Sequence, residues 1–300
     1  MERYSVHLKL LGMAVLWGAS WPMGRMLGQS LPPLTGGAVR FVLASVLLLG
    51  WLFARSRFAT LAALSARQWL GLTAAASVGV CGYAVFFMLG LQTMPAGKAA
   101  VVVAVNPVLT LLLATWFFGE RLNTKILAGM LLAVGGAIMV VTQGQPLTVL
   151  SGGIKVGEWL IFGCVVCWAA YTLIGRAVLR GIDALTVTTA TSFIGALMLS
   201  VVALWTDGLP FEAIAAMDGR GWTALAWLVI GATVLAYAWY FEGVKTLGAG
   251  SAAAYITLVP IFGVLSSAWV LGEPLHISLV AGCVAAVGGM TLMRYGQRAV

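Results

Sequence analysis

The sequence predicts an all-α integral membrane protein in which ten transmembrane helices form two inverted five-helix repeats around a central cavity. Of the 300 residues, 61% are apolar and only 9% are charged, whereas soluble domains average about 45–50% apolar and about 25% charged residues. The apolar residues form ten runs long enough to cross a membrane, and part of the first half recurs in the second half in the same order.

A helix needs roughly 20 mainly apolar residues to cross about 30 Å of hydrocarbon. The runs that meet this condition, named spans 1 to 10 in chain order, are 7–28, 33–53, 68–90, 97–118, 125–142, 157–178, 184–205, 221–241, 250–271 and 276–294. Turn-forming or charged residues separate them, and these joints are Pro32-Pro33, Arg55 to Arg67, Pro95 to Gly97, Gly119 to Arg121, Gln143 to Gly153, Asp207 to Pro210, Gly248 to Gly250 and Gly272 to Pro274. The first run is too long for the apolar core of a signal peptide, so we expect it to be retained as span 1.

The second half of the chain repeats the first. Residues that recur about 153 positions later are Thr93 with Thr246, Pro107 with Pro260, Trp116 with Trp269, Glu120 with Glu273 and Gly129 with Gly282. Span 1 likewise matches span 6, because Trp17 and Arg25 recur as Trp168 and Arg176. We therefore expect a first repeat at 1–142, a linker at 143–156 and a second repeat at 157–300. Since five spans are an odd number, the second repeat is predicted to cross the membrane in the opposite sense.

Basic residues predict the orientation of the chain. With the amino terminus in the cytoplasm, twelve Lys and Arg residues lie on the cytoplasmic side and only Lys98, Lys155 and Arg220 lie on the other. Cytoplasmic loops carry an excess of these residues, so both termini are expected in the cytoplasm. The net charge of +8 then reflects orientation rather than contact with nucleic acid.

Several kinds of chemistry have no support in the sequence. All four cysteines lie in apolar runs, and Cys164 and Cys167 have no neighbouring ligand to complete a metal site. The histidines, His7 and His276, lie near the predicted membrane surfaces, and no Asp or Glu lies at the centre of a span. A phosphate-binding loop of the Gly-x-x-x-x-Gly-Lys-Ser/Thr type is also absent. We therefore expect no catalytic residues, no metal and no cofactor, which leaves an intramembrane enzyme as a distant alternative.

The motifs together resemble a known family. They are Trp17 to Trp21 in span 1, Arg40-Phe41 in span 2, the proline-containing spans 4 and 9 that end in Gly119-Glu120 and Gly272-Glu273, and an Ala-Gly…Gly-Gly pattern in spans 5 and 10. This combination resembles the drug/metabolite transporter superfamily, in particular ten-helix members with two EamA domains, and is similar to bacterial aromatic amino acid exporters. The resemblance covers nearly the whole chain. It implies a transporter of the bacterial cytoplasmic (inner) membrane whose cavity is formed mainly by spans 1, 3, 4, 6, 8 and 9, with spans 5 and 10 at the periphery.

Polar and amphipathic side chains inside spans are the candidates for solute binding, because they are costly in lipid unless they face a wet cavity or a partner. The candidates are Trp17, Trp21, Arg40, Tyr83, Phe87, Lys98, Asn106, Trp168, Tyr171, Trp239, Tyr240, Tyr255 and Thr257. Pro107 and Pro260 remove a backbone donor and are expected to act as hinges, with simple packing kinks as the alternative.

Two alternatives remain for Arg40 and for Lys98, whereas one interpretation is favoured for Arg25. Arg40 either contacts an anionic part of the solute or holds a helix end through backbone carbonyls. Arg25 is expected to extend to the lipid headgroups. Lys98 is either an ordinary interface lysine or part of an outer vestibule.

The sequence thus predicts a transporter that exports small metabolites, foremost amino acids with aromatic or apolar side chains, by alternating access of its two halves. Facilitated diffusion is favoured over ion coupling because no central carboxylate is available to carry a proton. An exporter of drug-like or cationic compounds is the nearest alternative, and a receptor is a distant one. Because the chain contains both halves, a functional monomer in the lipid bilayer is expected.

Overall fold

The computed structural model describes residues 2–55, 60–61, 63–119, 122–145, 154–178, 181–247, 252 and 255–297. Within these ranges the secondary structure is helical, with no strand. Eight helices are long and apolar enough to cross a membrane, and Tyr255–Leu271 is a shorter apolar helix. Span 1 consists of two shorter helices and is therefore not among these eight. The described chain thus has the predicted all-α membrane fold. The predicted joints at 120–121 and 248–250, and most of the linker, lie outside the described residues.

The ten spans begin and end close to the predicted positions. Their bounds are Glu2–Gly18 with Ser20–Ser30, Pro33–Ala54, Ala66–Thr93, Ala96–Phe118, Thr124–Val141, Val156–Val178, Ala184–Thr206, Gly219–Ala226 with Trp227–Leu235 and Ala236–Leu247, Tyr255–Leu258 with Val259–Leu271, and Ile277–Gln297. A short helix, Phe211–Ala215, occupies the connection between spans 7 and 8, where the sequence predicted only a turn.

Contacts between distant spans define two ends of the helix bundle. At the end where Glu2 and Gln297 lie, named the terminal face, the contacting pairs are Lys9 with Glu242, His7 with Tyr255, and Asn123 with Gly296. At the opposite end, named the linker face, they are Ser30 with Asp218, Thr35 with Asp207, and Arg25 with Glu273. Successive spans therefore run in alternating directions, and the second group of five spans is inverted relative to the first.

Asp218 fixes the start of span 8 at the linker face. Its carboxylate accepts a hydrogen bond from the backbone amide of Gly221 at 2.8 Å and from the hydroxyl of Ser30 at 3.0 Å. The amide contact caps the helix that begins at Gly219. Both donors favour the ionised carboxylate, so the pKa of Asp218 lies below its ordinary value.

Proline residues interrupt three spans. Helical structure in span 4 breaks at Ala104 and Val105, and a new helix begins at Asn106 with Pro107 in its first turn. Span 9 starts as a 3₁₀ turn and becomes an α-helix at Val259, just before Pro260. The breaks in spans 4 and 9 follow from prolines noted in the sequence. The break in span 1 at Ala19, three residues before Pro22, was not predicted.

Spans 3 and 8 each contain a π-helical segment that was not predicted. The segments are Ser77–Gly82 in span 3 and Trp227–Leu235 in span 8, which are related by the internal repeat. A π-helix bonds each amide to the carbonyl five residues earlier, and such bulges occur frequently at functional sites. In span 8 the side chain of Thr233 also donates to the carbonyl of Leu228, at 2.8 Å.

Spans 5 and 10 pack against each other along a seam of glycines. A Cβ atom added to Gly129 would lie 2.6 Å from the carbonyl oxygen of Gly289, and one added to Gly136 would lie 2.5 Å from that of Gly282. Small residues allow membrane helices to approach this closely, so that dispersion contacts hold them together. The two spans form the predicted peripheral pair, although residues of span 10 also reach the interior.

Candidate functional site

A central cavity of about 630 Å³ lies between the two halves. Among the described residues, every span except span 5 contributes to its lining. The family resemblance implied six lining spans, and the structure adds spans 2, 7 and 10. Span 2 contributes Arg40 and Phe41, whereas span 10 contributes Met290, Arg294 and Gln297.

The cavity extends from the middle of the bundle to the terminal face. Arg294 and Gln297 in the last turns of span 10 and Arg176 near the end of span 6 belong to its lining, and these positions lie at the terminal face. None of the pairs that join the spans at the linker face lines it. The structure therefore represents a conformation whose cavity is closed toward the linker face.

A hydrogen-bonded cluster, named the linker-face latch, closes that end. Glu273 accepts from the backbone amides of Ala96 and Gly97 at 2.8 and 2.9 Å, and from the guanidinium of Arg25 at 3.2 Å. Arg25 also donates to the carbonyl of Met94 at 3.1 Å. A carboxylate at the first amides of a helix is favoured by the helix dipole. Arg25 was expected to reach the headgroups; in the structure its guanidinium instead binds Glu273 and the carbonyl of Met94.

A vestibule of about 550 Å³ lies next to the latch, and Lys98 and Arg220 are part of its wall. Lys98 forms a 2.6 Å ion pair with Glu158 at the start of span 6. Of the two alternatives for Lys98, the structure therefore supports the vestibule position. The ion pair adds a further link between the two halves at this face.

Aromatic rings from both halves line the cavity in two related groups. In one group, the Trp17 ring centroid lies 5.4 Å from that of Tyr237 in span 8. In the other, the Trp168 ring lies 6.1 Å from that of Tyr83 in span 3, with edge-to-face geometry. The repeat relates Trp17 to Trp168 and span 8 to span 3, so the internal symmetry places amphipathic rings on two sides of the cavity.

The π segment of span 8 fixes the orientation of Trp17. The indole Nε1 of Trp17 donates to the backbone carbonyl of Ala232 at 2.9 Å, and Ala232 lies within this segment. In return, Trp227 Nε1 donates to the carbonyl of Leu16 at 3.3 Å. These two bonds join spans 1 and 8 beside the cavity, whose lining includes Trp17.

Arg40 is a cation without an anionic partner on the cavity wall. Its guanidinium carbon lies 4.9 Å above the ring of Phe41 and 6.0 Å from the ring of Phe87. The buried Nε of Arg40 has no hydrogen-bond partner, and the described part of the chain offers the guanidinium no salt bridge. The alternative role, holding a helix end through carbonyls, is not observed. Phe41 and Phe87 stabilise the charge only through cation–π contact.

The remaining polar groups of the lining are mainly neutral. Asn106 leaves its buried Oδ1 without a partner, and Pro107 cannot donate a backbone hydrogen bond to the preceding turn. No Asp or Glu belongs to the cavity lining in the described ranges, whereas three arginines do, namely Arg40, Arg176 and Arg294. The cavity therefore combines apolar walls, neutral acceptors and positive charge.

The structure brings most of the predicted site residues together. Those in the cavity lining are Trp17, Trp21, Arg40, Tyr83, Phe87, Asn106, Trp168, Tyr171 and Thr257, together with the expected hinges Pro107 and Pro260. Four lie outside the lining. Lys98 lies in the vestibule wall, and Trp239 packs against Gly12. The ring centroid of Tyr240 lies 5.7 Å from that of Trp17, and the hydroxyl of Tyr255 forms a hydrogen bond with His7 at the terminal face.

Tyr237 is a lining residue that was not among the predicted site residues. Its repeat partner is Ala84, so a search for paired aromatics passes over it. Its occurrence as an aromatic residue in the middle of span 8 is the signal that could have identified it.

Comparisons with known proteins cover nearly the whole chain. The model of the EamA-like transporter family matches residues 5–142 and 155–295. The uncharacterized transporter YyaM of Bacillus subtilis is 28% identical over 97% of this chain and 93% of its own. A protein of Salmonella typhimurium named "Probable amino-acid metabolite efflux pump" is 26% identical over 99% of this chain and 97% of its own. A solved crystal structure matches 99% of both chains with a TM-score of 0.65 at 21% identity, which shows a shared fold.

Proposed function

Because the chain belongs to the EamA-like transporter family, we propose that it exports small metabolites, foremost amino acids with aromatic or apolar side chains, across the bacterial cytoplasmic membrane. The observation that carries this proposal is Arg40, a half-buried cation on the cavity wall. Its Nε is buried without a hydrogen-bond partner, its guanidinium has no anionic partner in the described chain, and it lies against the rings of Phe41 and Phe87. The name of the Salmonella relative, an amino-acid metabolite efflux pump, supports the same solute class.

In the proposed complex, the carboxylate of the solute binds the guanidinium of Arg40, which presents parallel donors suited to a carboxylate. The side chain of the solute packs between the rings of Trp17 and Trp168, where aromatic faces offer apolar area at low entropic cost. The unpartnered Oδ1 of Asn106 accepts from a donor of the solute. A volume of about 630 Å³ is within the range of about 300–1,000 Å³ that small-molecule sites occupy.

Transport requires the two inverted halves to exchange conformations. In the conformation described, the latch around Glu273 closes the linker face and the cavity reaches the terminal face. If the terminal face is cytoplasmic, as the basic residues predict, this conformation receives solute from the cytoplasm. Opening of the latch and closure of the terminal face then release the solute outside. Since the described lining offers no carboxylate that could carry a proton, we propose facilitated diffusion.

Reconstitution into liposomes tests the proposal. Purified chain should catalyse saturable uptake of labelled phenylalanine, tryptophan and leucine, at rates that do not change when a pH gradient is imposed. An excess of a lipophilic cation should not inhibit the uptake. Uptake of a labelled lipophilic cation without amino acid uptake would indicate an exporter of cationic compounds, and a panel in which no solute moves would contradict the proposal.

A further inference from the structure

We propose that the carboxylate is the one group a solute must carry, so that the chain transports aromatic and apolar monocarboxylates with or without an ammonium group. This inference rests on the proposed function and extends it from amino acids to their ammonium-free analogues. It also predicts that amines without a carboxylate are poor ligands, which separates this cavity from one built for cations.

The first step of the argument is the unmatched charge of Arg40. A charged side chain at membrane depth normally pairs with an opposite charge or with backbone carbonyls. Arg40 makes neither contact in the described part of the chain, and its Nε is buried without a partner. The rings of Phe41 and Phe87, 4.9 and 6.0 Å from its guanidinium carbon, cannot replace two charge-assisted hydrogen bonds. An anionic group of the solute would complete this site.

The second step is that three acidic side chains at the ends of spans 6, 8 and 9 are already engaged. Glu242 binds Lys9 at 2.7 Å, Glu158 binds Lys98 at 2.6 Å, and Glu273 belongs to the latch. None of them lines the cavity. A bound ammonium group therefore meets no carboxylate within the described lining.

The third step is that the available acceptor is neutral. The Oδ1 of Asn106 is unpartnered, and the hydroxyl of Thr191, which donates to the carbonyl of Val187 at 2.8 Å, keeps lone pairs that can accept. An amide oxygen accepts from an ammonium, a hydroxyl or an uncharged amine alike. The cavity accordingly tolerates the ammonium of a zwitterion but does not require it, and it disfavours a solute whose only charge is positive.

A binding competition with two analogues of phenylalanine tests this inference. Labelled phenylalanine is bound to the purified full chain in lipid nanodiscs and displaced by 3-phenylpropionate, which lacks the ammonium, or by 2-phenylethylamine, which lacks the carboxylate. We expect 3-phenylpropionate to compete at least as well as unlabelled phenylalanine, and 2-phenylethylamine to need at least about a tenfold higher concentration, the factor expected from loss of a charged hydrogen-bonded pair. Equal competition by the amine, or none by 3-phenylpropionate, would overturn the inference.

The variant Arg40→Gln tests whether Arg40 is the group that binds the carboxylate of the solute. In this variant we expect 3-phenylpropionate to lose at least about tenfold in affinity, while 2-phenylethylamine binds as before or better. The control is Arg67→Gln, because Arg67 is exposed at the terminal face and its loss should leave the order of competitors unchanged. A monodisperse elution profile identifies folded variants, and unchanged 3-phenylpropionate affinity in folded Arg40→Gln would contradict the inference.

The same assay separates failure of this inference from failure of the proposed function. If labelled phenylalanine does not bind, the label is placed on 3-phenylpropionate. Binding and liposome uptake of that compound alone would support the inference and overturn amino acid export. Uptake of phenylalanine without any effect of 3-phenylpropionate would support amino acid export and overturn the inference.

Discussion

Trp17 shows how a backbone irregularity positions a single side chain. Its indole donates to the carbonyl of Ala232 in the π segment of span 8. Pairing by the repeat singled out Trp17 and Trp168 in the sequence, and the structure places both in the cavity lining. The bond to Ala232 could not be predicted, because it depends on the π-helical segment of span 8. Amino-acid composition does not show whether a helix is α-helical, with bonds between residues four apart, or π-helical, with bonds between residues five apart.

The first residue-scale prediction concerns this bond. Trp17→Phe keeps an aromatic ring but leaves the Ala232 carbonyl without its indole donor, so solute affinity should fall by about 2- to 10-fold, corresponding to one net hydrogen bond. Equilibrium binding of labelled phenylalanine measures the change. Trp205→Phe is the control, since Trp205 is 89% exposed, and equal losses in both variants would contradict the role assigned to Trp17.

The second residue-scale prediction concerns the opposite wall. Tyr83→Ala and Trp168→Ala each remove one ring of an edge-to-face pair, worth about 0.5–1.5 kcal/mol beyond the buried area. Both should reduce liposome transport more than they reduce the yield of folded protein. Trp116→Ala serves for comparison because Trp116 is 80% exposed. Normal transport by well-folded Tyr83→Ala and Trp168→Ala variants would remove these rings from the solute site.

At the scale of helices, hydropathy predicted the spans well and their interruptions poorly. Apolar runs indicate which residues lie in the membrane, and a run ends where polar residues begin. The ends of the predicted spans therefore agree with the structure to within a few residues for most of the bundle. The π segments at Ser77–Gly82 and Trp227–Leu235 have the same apolar composition as α-helix. Their presence depends on packing between spans, which a single sequence does not display.

The latch gives a prediction for the ends of spans 4 and 9. Glu273→Gln weakens the contacts with Arg25 and with the first amides of span 4, so the linker face should open more often. The assay uses Val103→Cys, at a lining position of span 4, in a chain whose four native cysteines are replaced by alanine. A membrane-impermeant maleimide applied from the linker face should label this cysteine faster when Glu273→Gln is present.

Glu212→Gln provides the matched control for the latch. Glu212 belongs to the short helix near the linker face and is exposed, so its replacement should leave the labelling rate of Val103→Cys unchanged. A rate that is the same with and without Glu273→Gln would show that the latch does not hold this face closed.

Neighbouring glycines in span 5 give a prediction about helix packing. Gly136→Ala directs a methyl group at the backbone of span 10, where overpacking costs about 1–3 kcal/mol of unfolding free energy. Gly135→Ala meets no atom within 4 Å and should be neutral or stabilising by up to about 1 kcal/mol, because alanine favours helix more than glycine does. Thermal unfolding in detergent measures both, and similar melting temperatures would contradict the seam.

For the whole molecule, the sequence predicted the fold class because duplication, hydropathy and charge all point to the same architecture. The conformation was not predictable, since inward- and outward-open states share one sequence and differ by interactions such as the latch. Four candidate residues lie outside the cavity lining because the sequence of a span does not show toward which neighbouring span each side chain packs. Trp239 and Tyr255, for example, occupy spans that contribute to the lining, but their side chains pack toward span 1.

Labelling from outside the cell tests the orientation. In the cysteine-free chain, Gln143→Cys at the linker face should react with an impermeant maleimide in intact cells, whereas Ser5→Cys near the amino terminus should react only after permeabilisation. Both positions are exposed, so access to the reagent decides the result. Reaction of both from the same side would contradict the inverted arrangement of the halves.

The glycine seam also restricts the path by which a compound can arrive. Where spans 5 and 10 touch, the backbone of one helix meets the backbone of the other, as at Gly129 and Gly289. An acyl chain has no room to pass between these two helices, so molecules dissolved in the bilayer cannot enter the protein laterally between spans 5 and 10. A lipid-soluble compound therefore finds no lateral entrance to the cavity along this flank.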